Sequence, residues 1–509
     1  MLAAVFRRLL FFHTYDRRMP SERKGERLSL WQDYTRDNWQ SCTEVWRMSA
    51  LIDTQSWATQ TFGTCELGDQ RRTRRLVRMA ERIAENPAAS FPDQMVGWAE
   101  LKAAYRFFDQ ERVSFQAIAT PHWMATRQNA CGRMLVICDT TEIDFGRNRT
   151  IDGVGPTGNG SGQGFLLHNA MMVDAQTRAI TGIAGQTIHY RPRKKHMKKE
   201  NRSAKLRRCR ESEVWGHVID EIGPPSDDAR YTYVCDRGAD NFEVFCHLRQ
   251  QNSGWIIRAK AKNRNILTPS GDSTTLQQHL QTLKLRGTYE LTLRARPQQP
   301  ARTASIEVLT GSLQMPVPHH KSPWIRSLDP EPIAMNVVLV REIGAADDVT
   351  PIEWVLYTSE SIDTFDQVWS VIDDYESRWL VEEYHKALKS GTRMKDRQLK
   401  AAGRLEAMAG LMSIVAVHLV QLKTLSRTDP DRKARRVVPV LWLQMLKACR
   451  QKLRRVHDLT VYEFYREVAK LGGFIGRKSD GEPGWITIWR GWEKLSTLVR
   501  GAQLAKTFL

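Results

Sequence analysis

Two short apolar runs constrain this chain more than any other feature: MLVIC at 134–138 and YTYVC at 231–235. Each is too short to favour a helix and rich in β-branched or aromatic residues, so each predicts a strand buried on both faces, as in parallel sheets covered by helices. Both runs end in the same dipeptide, CDTT delivering Asp139 and CDRG delivering Asp236. A strand-terminal Asp is commonly a turn or cap residue. Two buried strands that both present an acid at the tip are harder to explain that way, and the expected class is α/β.

A second constraint is YESRWLVEEYHKALK at 375–389. It lacks Gly and Pro and is rich in helix formers, which predicts a helix. Tyr375, Arg378, Glu382, Lys386 and Lys389 then share one face, a carboxylate ringed by phosphate binders, while Trp379, Leu380, Ala387 and Leu388 face a core. The alternative is a surface helix laced with Glu–Lys pairs, each adding only about 0.2–0.5 kcal/mol.

The 509 residues exceed one ordinary core, so two to four domains are expected. Lys plus Arg number 76 against 57 Asp plus Glu, and the net charge of +19 makes nucleic acid the first partner to consider. The eight cysteines show no C-x-x-C pair and read as free thiols, and His189, His196, His319 and His320 lack zinc-site spacing. The apolar run 407–422 is too short to span a bilayer comfortably and predicts a buried helix; no membrane partner is expected.

Taken in order, residues 1–47 are polar, Arg-rich and aperiodic, an extension whose translation in the cell is open because Met48 could be the true start. Residues 48–120 read as an all-helical module, with Asp69 capping a helix whose first turns carry Arg71, Arg72, Arg74, Arg75 and Arg78. A solvated basic face is the ordinary alternative. Further strands are expected at HNAMMVD and AITGIAGQTIHY, preceded by a Gly-rich loop at 153–164 that does not match an NTP-binding P-loop. The basic tract 191–210 can hold a phosphate backbone beside acids. WIIRAK predicts a strand on which Arg258, Lys260 and Lys262 alternate with apolar residues, and 264–360 alternates as a β insertion. A catalytic region to about residue 400 and a helical segment at 401–509 complete the chain, with Trp485, Trp489 and Trp492 on one face.

If Asp139, Asp236 and Glu382 converge, they repel. Two carboxylates about 4 Å apart cost on the order of 4 kcal/mol at an effective dielectric of 20, so the site calls for divalent cations. Oxygen ligands suit Mg²⁺ or Mn²⁺. Two such ions about 3.5–4 Å apart can activate a water or a 3′-hydroxyl and stabilise the leaving oxygen of a phosphodiester.

The order CDTT, CDRGAD, then Y-x-x-R-x-x-x-E-x-x-x-x-x-x-K (Tyr375, Arg378, Glu382, Lys389) resembles the D-D-E signature of bacterial cut-and-paste transposases of the insertion-sequence-four group, in the transposon-five branch. The likeness runs over roughly residues 48–505 and includes LGDQRRTRRL, AAYRFF, EWVLYTSE, RWLVEEYHKALKSG, AKLGGF and WRGWEKL. Residues 1–47 have no counterpart in the family pattern, and ENPAASFPDQMVGW matches it poorly. The resemblance implies an end-recognition domain, an RNase H-like core interrupted by the β insertion, and a C-terminal dimerisation domain. It further implies that Asp139, Asp236 and Glu382 are catalytic and bind two Mg²⁺ (or Mn²⁺) ions. Arg71, Arg72, Arg75 and Arg106 would grip the terminal inverted repeat, Trp354 would receive a flipped base, and Tyr375, Arg378, Lys386 and Lys389 would clamp phosphate. The implied partners are transposon-end DNA, target DNA and a second copy of the chain, in the bacterial cytoplasm at the nucleoid. Two other readings stay open: a metal-dependent nuclease on the same core without strand transfer, and a non-catalytic regulator that occupies transposon ends.

Overall fold

The structure is a computed structural model describing residues 54–192, 211–293, 301–346, 349–428, 430–436, 438–477 and 480–505. The extension 1–47 and nearly all of the basic tract 191–210 lie outside the described residues. In chain order the main elements begin with helices α1 (Thr54–Phe62), α2 (Gln70–Glu85), α3 (Gly97–Phe107) and α4 (Phe115–Gln128). Strands β1 (Gly132–Asp144), β2 (Gly155–Thr157), β3 (Gly162–Asp174) and β4 (Ile180–His189) follow, then α5 (Val214–Ile222), β5 (Ala229–Cys235), α6 (Phe242–Gln250) and β6 (Gly254–Arg258). Next come β7 (Asn265–Leu267), β8 (Ser273–Thr275), β9 (Lys284–Leu293), β10 (Arg302–Met315), β11 (Ile333–Ile343) and β12 (Glu353–Thr358). The last elements are helices α7 (Phe365–Glu376), α8 (Trp379–Lys386), α9 (Ala402–Thr428), α10 (Val440–Cys449), α11 (Val461–Leu471) and α12 (Trp485–Ala505). The class is mixed α/β; one run of strands has the order β1–β5–β6–β12–β11–β10–β7–β8 with β9 on β10, and another pairs β2 and β4 with β3.

The chain divides into two compact units. The first holds residues 131–139 and, among those described, 211–379. Its centre is a parallel trio, β1 beside β5 and β5 beside β6. The apolar runs explain it: residues 134–138 and 231–235 are buried throughout, so no polar face exists to meet water. Helix α6 makes the crossover from β5 to β6, starting at Asn241, whose side chain caps the backbone N–H of Glu243. Between β6 and β12 the chain makes its β excursion, dominated by the long antiparallel pair Ser305–Met315 against Ile333–Ile343. It returns when Leu356–Thr358 pairs antiparallel with Ile256–Arg258. Helix α7, opened by a Thr364–Gln367 capping box, packs on β5 and β6 and is pinned by an ion pair between its buried Asp374 and Arg133 of β1.

The second unit contains residues 54–130, 140–192 and 380–505 of those described. Asp69 caps α2 as its sequence suggests, accepting from the backbone N–H of Arg71 at 2.8 Å, and Leu76, Met79, Ala80 and Ile83 form its buried stripe. The Gly-rich segment is a tight β2–β3 hairpin rather than an open loop. Helix α9 contains 20 residues, 402–421, long and apolar enough to cross a membrane, and most of that stretch is packed inside the unit. Helices α10, α11 and α12 enclose their own core around Leu446, Phe464, Trp492 and Leu495. Trp492 is therefore a core residue, whereas Trp489 is only half-buried; the side chain of Trp485 lies outside the described residues. Helices α11 and α12 cross glycine on glycine: a Cβ on Gly491 would fall on the Val468 carbonyl, and one on Gly472 on the Thr487 carbonyl. That approach accounts physically for Gly472 in AKLGGF and Gly491 in WRGWEKL.

Candidate active site

Sheet register brings the first two acids together. In the β1–β5 pair Cys138 lies opposite Cys235, so Asp139 and Asp236 are the next residues on neighbouring parallel strands, which run about 4.8 Å apart. Asp139 is not a strand tip, since β1 continues to Asp144, but it is the point at which pairing with β5 ends. Asp236 follows the last residue of β5 and caps the turn Arg237–Ala239, its Oδ1 accepting from Gly238 N at 2.7 Å. Gly238 suits this turn because a Cβ there would come within 2.9 Å of both the carboxylate and the Trp215 ring. The local cap role expected of such an Asp is thus real, and it also fixes the direction of the side chain.

The stretch 375–389 is not one helix. Helix α7 ends at Glu376, Ser377 and Arg378 form a turn, and α8 begins at Trp379 with Glu382 in its first turn. The Ser377 hydroxyl bonds back to the Asp373 carbonyl at 3.1 Å, a pattern that bends helices. After Lys386 the coil widens to a π turn over Ala387–Gly391, closed by Thr392 N to Ala387 O at 2.8 Å. Widened turns of this kind recur at functional sites. Lys386 is exposed and Lys389 half-buried on this last segment.

Around the acids stands a basic and aromatic group. Arg378 Nη1 meets Asp139 Oδ2 at 2.9 Å, with both side chains about six-sevenths buried (13% and 14% exposed). Tyr375, on the preceding turn, is buried, and its ring meets Trp354 of β12 edge-on with centroids 5.4 Å apart. Arg258, the last residue of β6, donates to the Glu353 carbonyl at 2.9 Å. Burial holds its guanidinium below the usual arginine range, while Tyr375 acts in the other direction. Burial likewise raises the Tyr375 phenol, against the pull of Arg378 and Arg258. The thiol of Cys235 is raised well above its usual range, by burial first and then by its contact with Cys138. Lys260 is exposed, its backbone N–H bound to Asp240 at 2.7 Å, and Lys262 pairs with Glu353 at 2.6 Å.

Glu382 and His385 of α8 each offer one ligand atom, and these atoms lie within 4.8 Å of each other, donors of a kind that could hold a metal ion. The sequence reading did not single out His385. Its signal was present in the Glu-x-x-His spacing of α8, which puts both side chains on one helical face. Arg237 was also passed over; it is exposed and close enough to Arg258 to lower its pKa.

The four N-terminal arginines are held quite differently. Arg71 is 87% exposed and pairs only with its own cap, Asp69, at 2.9 Å. Arg72 turns inward to the Leu67 carbonyl and Gln110 Oε1, both at 2.9 Å, so it also braces the module. Arg75 is half-buried on α2, and Arg106 is exposed on α3.

Comparison with known families supplies the context. Residues 54–113 match the family described as transposase DNA-binding, and residues 414–509 match the transposase Tn5 dimerisation domain. The two matches, a DNA-binding module near one end and a dimerisation module near the other, support a Tn5-like transposase.

Proposed function

We propose that the chain is a D-D-E transposase of the insertion-sequence-four group, cutting DNA at the terminal inverted repeats of its element and joining the ends to a target. The observation that carries this reading is the β1–β5 register, which makes Asp139 and Asp236 neighbours, with Arg378 on Asp139 and Glu382 one helical turn beyond Arg378. In this reading residues 48–120 bind ends, 121–400 form an RNase H-like core with the insertion at about 264–360, and 401–509 dimerise. The protein would act in the bacterial cytoplasm at the nucleoid.

Asp139, Asp236 and Glu382 would hold two Mg²⁺ or Mn²⁺ ions. Carboxylates are the donors these cations prefer, and bound cations would offset the mutual repulsion of the acids beside the Arg378–Asp139 ion pair. Such ions supply activation of the attacking hydroxyl and stabilisation of the leaving oxygen. The side chains of the chain itself do the orienting. Arg378 keeps the Asp139 carboxylate in place, and its planar guanidinium is a fork of the kind that grips phosphate, for which lysine has no equivalent. Arg258, Lys260, Lys386 and Lys389 add positive charge for the DNA backbone. Trp354, backed edge-on by the buried Tyr375, would give an unstacked base an aromatic surface, a contact worth about 1–3 kcal/mol per base.

The test is an assay on duplex DNA carrying the element's own ends, with Mg²⁺ and a supercoiled target. Cleavage followed by joining supports the proposal. Cleavage without joining would leave a nuclease, and end-binding without cleavage would leave a regulator.

A further inference from the structure

A polar chain lies buried against α8, made of Trp123 (1% exposed), Gln186 (2%), Asn169 (0%), Tyr384 (0%) and His385 (4%). Its hydrogen bonds can be oriented without ambiguity because it begins at an indole, which only donates. Trp123 Nε1 lies 3.3 Å from Gln186 Oε1, so that oxygen is the acceptor and the Gln186 amide nitrogen points the other way. The nitrogen donates to Asn169 Oδ1 at 2.6 Å and to the Tyr384 hydroxyl at 3.1 Å. The hydroxyl in turn donates to the same Asn169 oxygen at 3.3 Å. Asn169 therefore turns its NH₂ group to the remaining partners, the Leu167 carbonyl at 3.1 Å and His385 Nε2 at 3.1 Å. Both amide hydrogens are spoken for, and His385 Nε2 has to accept.

We infer that Asn169 is a positioning residue that fixes His385 as the neutral ring protonated on Nδ1, so that His385 stands beside Glu382 as a hydrogen-bond donor and not as a metal ligand. With Nε2 accepting from Asn169 its lone pair is taken, and Nδ1, which then carries the ring proton, has none to give a cation. A proton on Nε2 would instead oppose an amide hydrogen between two buried side chains, where an unmade bond costs about 1–3 kcal/mol. The role as orienter rests on the proposed reading of the acids; the placement of the proton does not. An outer partner that fixes a ring in this way typically changes activity 10–100-fold when replaced.

The experiment uses the full chain with ¹⁵N-labelled histidine, freed of divalent ions by a chelator, and a two-bond ¹⁵N–¹H correlation spectrum. The chain has 13 histidines, and His385 is the signal lost in His385→Asn. The expected pattern is a protonated Nδ1 and a bare Nε2, unchanged when Mg²⁺ is added. Asn169→Asp presents an acceptor to Nε2, so it should move the proton to that nitrogen and slow cleavage about 10–100-fold while end-binding persists. An Nε2-protonated or doubly protonated ring in the wild type, or loss of the Nδ1 proton on adding Mg²⁺, overturns the inference. If Asn169→Asp does not fold, the wild-type spectra still decide. If Glu382→Gln cleaves normally while the Nδ1 proton is seen, the proposed role of the acids fails and the assignment of the histidine stands.

Discussion

The acids of the sheet and the arginines of α2 are both charged groups that the proposed function assigns to DNA, yet they are secured in opposite ways. Asp139 and Asp236 occupy consecutive places in a buried parallel pair, one held by Arg378 and the other by its own turn. Arg71 stands 87% exposed with a single local partner. The contrast separates two kinds of requirement. Breaking a phosphodiester needs groups fixed to fractions of an ångström, which only a packed sheet supplies, whereas holding a polyanion needs charge delivered on stems that can adapt.

The sharpest way to break this comparison is to remove a fixed acid. Asp139→Asn or Asp236→Asn should reduce cleavage by about three orders of magnitude or more, with the double variant little worse than either, while gel shifts on end DNA stay near wild type. Cleavage at a near-normal rate in either single variant would make the two aspartates ordinary turn residues. Arg378→Lys comes next. Its charge remains but its fork is lost, and a cleavage rate about 10–100-fold lower, with unchanged thermal stability, is the expected outcome. Equal rates for Arg378→Lys and wild type would reduce Arg378 to simple charge compensation.

The crossing of α11 and α12 probes fixed geometry away from the acids. Gly491→Ala places a methyl group on a backbone carbonyl and should cost about 1–3 kcal/mol of stability, read by urea denaturation of the full chain. The smallest effects belong to α2 and split its arginines. Arg71→Ala should reduce the salt dependence of end-binding by roughly one phosphate contact and leave the melting temperature unchanged. Arg72→Ala, losing its bonds to Leu67 and Gln110, should lower stability by about 1 kcal/mol. A uniform response of both to salt would erase the distinction drawn between them.

What the sequence made legible follows the same division. The β1 and β5 runs were readable because burial on both faces leaves an uninterrupted apolar signature, and the α2 cap because Asp69 acts on a residue two positions away. The break at Ser377 was not readable. No Gly or Pro marks it, and it depends on a hydroxyl choosing a backbone carbonyl. Asn169 and His385 were invisible as a pair because 216 positions separate them, and polar residues give no periodicity from which burial could be inferred. The extent of β1 beyond Asp139 was hidden too, since TTEID carries none of the apolar continuity that marked its first half.

The β excursion has one more consequence. It leaves at Arg258 and comes back at Glu353, and residues on either side of the gap, Ile256–Arg258 and Leu356–Thr358, are hydrogen-bonded partners. To the parallel trio this whole stretch is topologically a hairpin loop. Its length can change without moving either anchoring strand, so the excursion is the natural place to graft a reporter, a tether or a new DNA-reading element onto the chain. The limit is set by the returning strand: any graft has to close before Trp354, whose ring already leans on Tyr375.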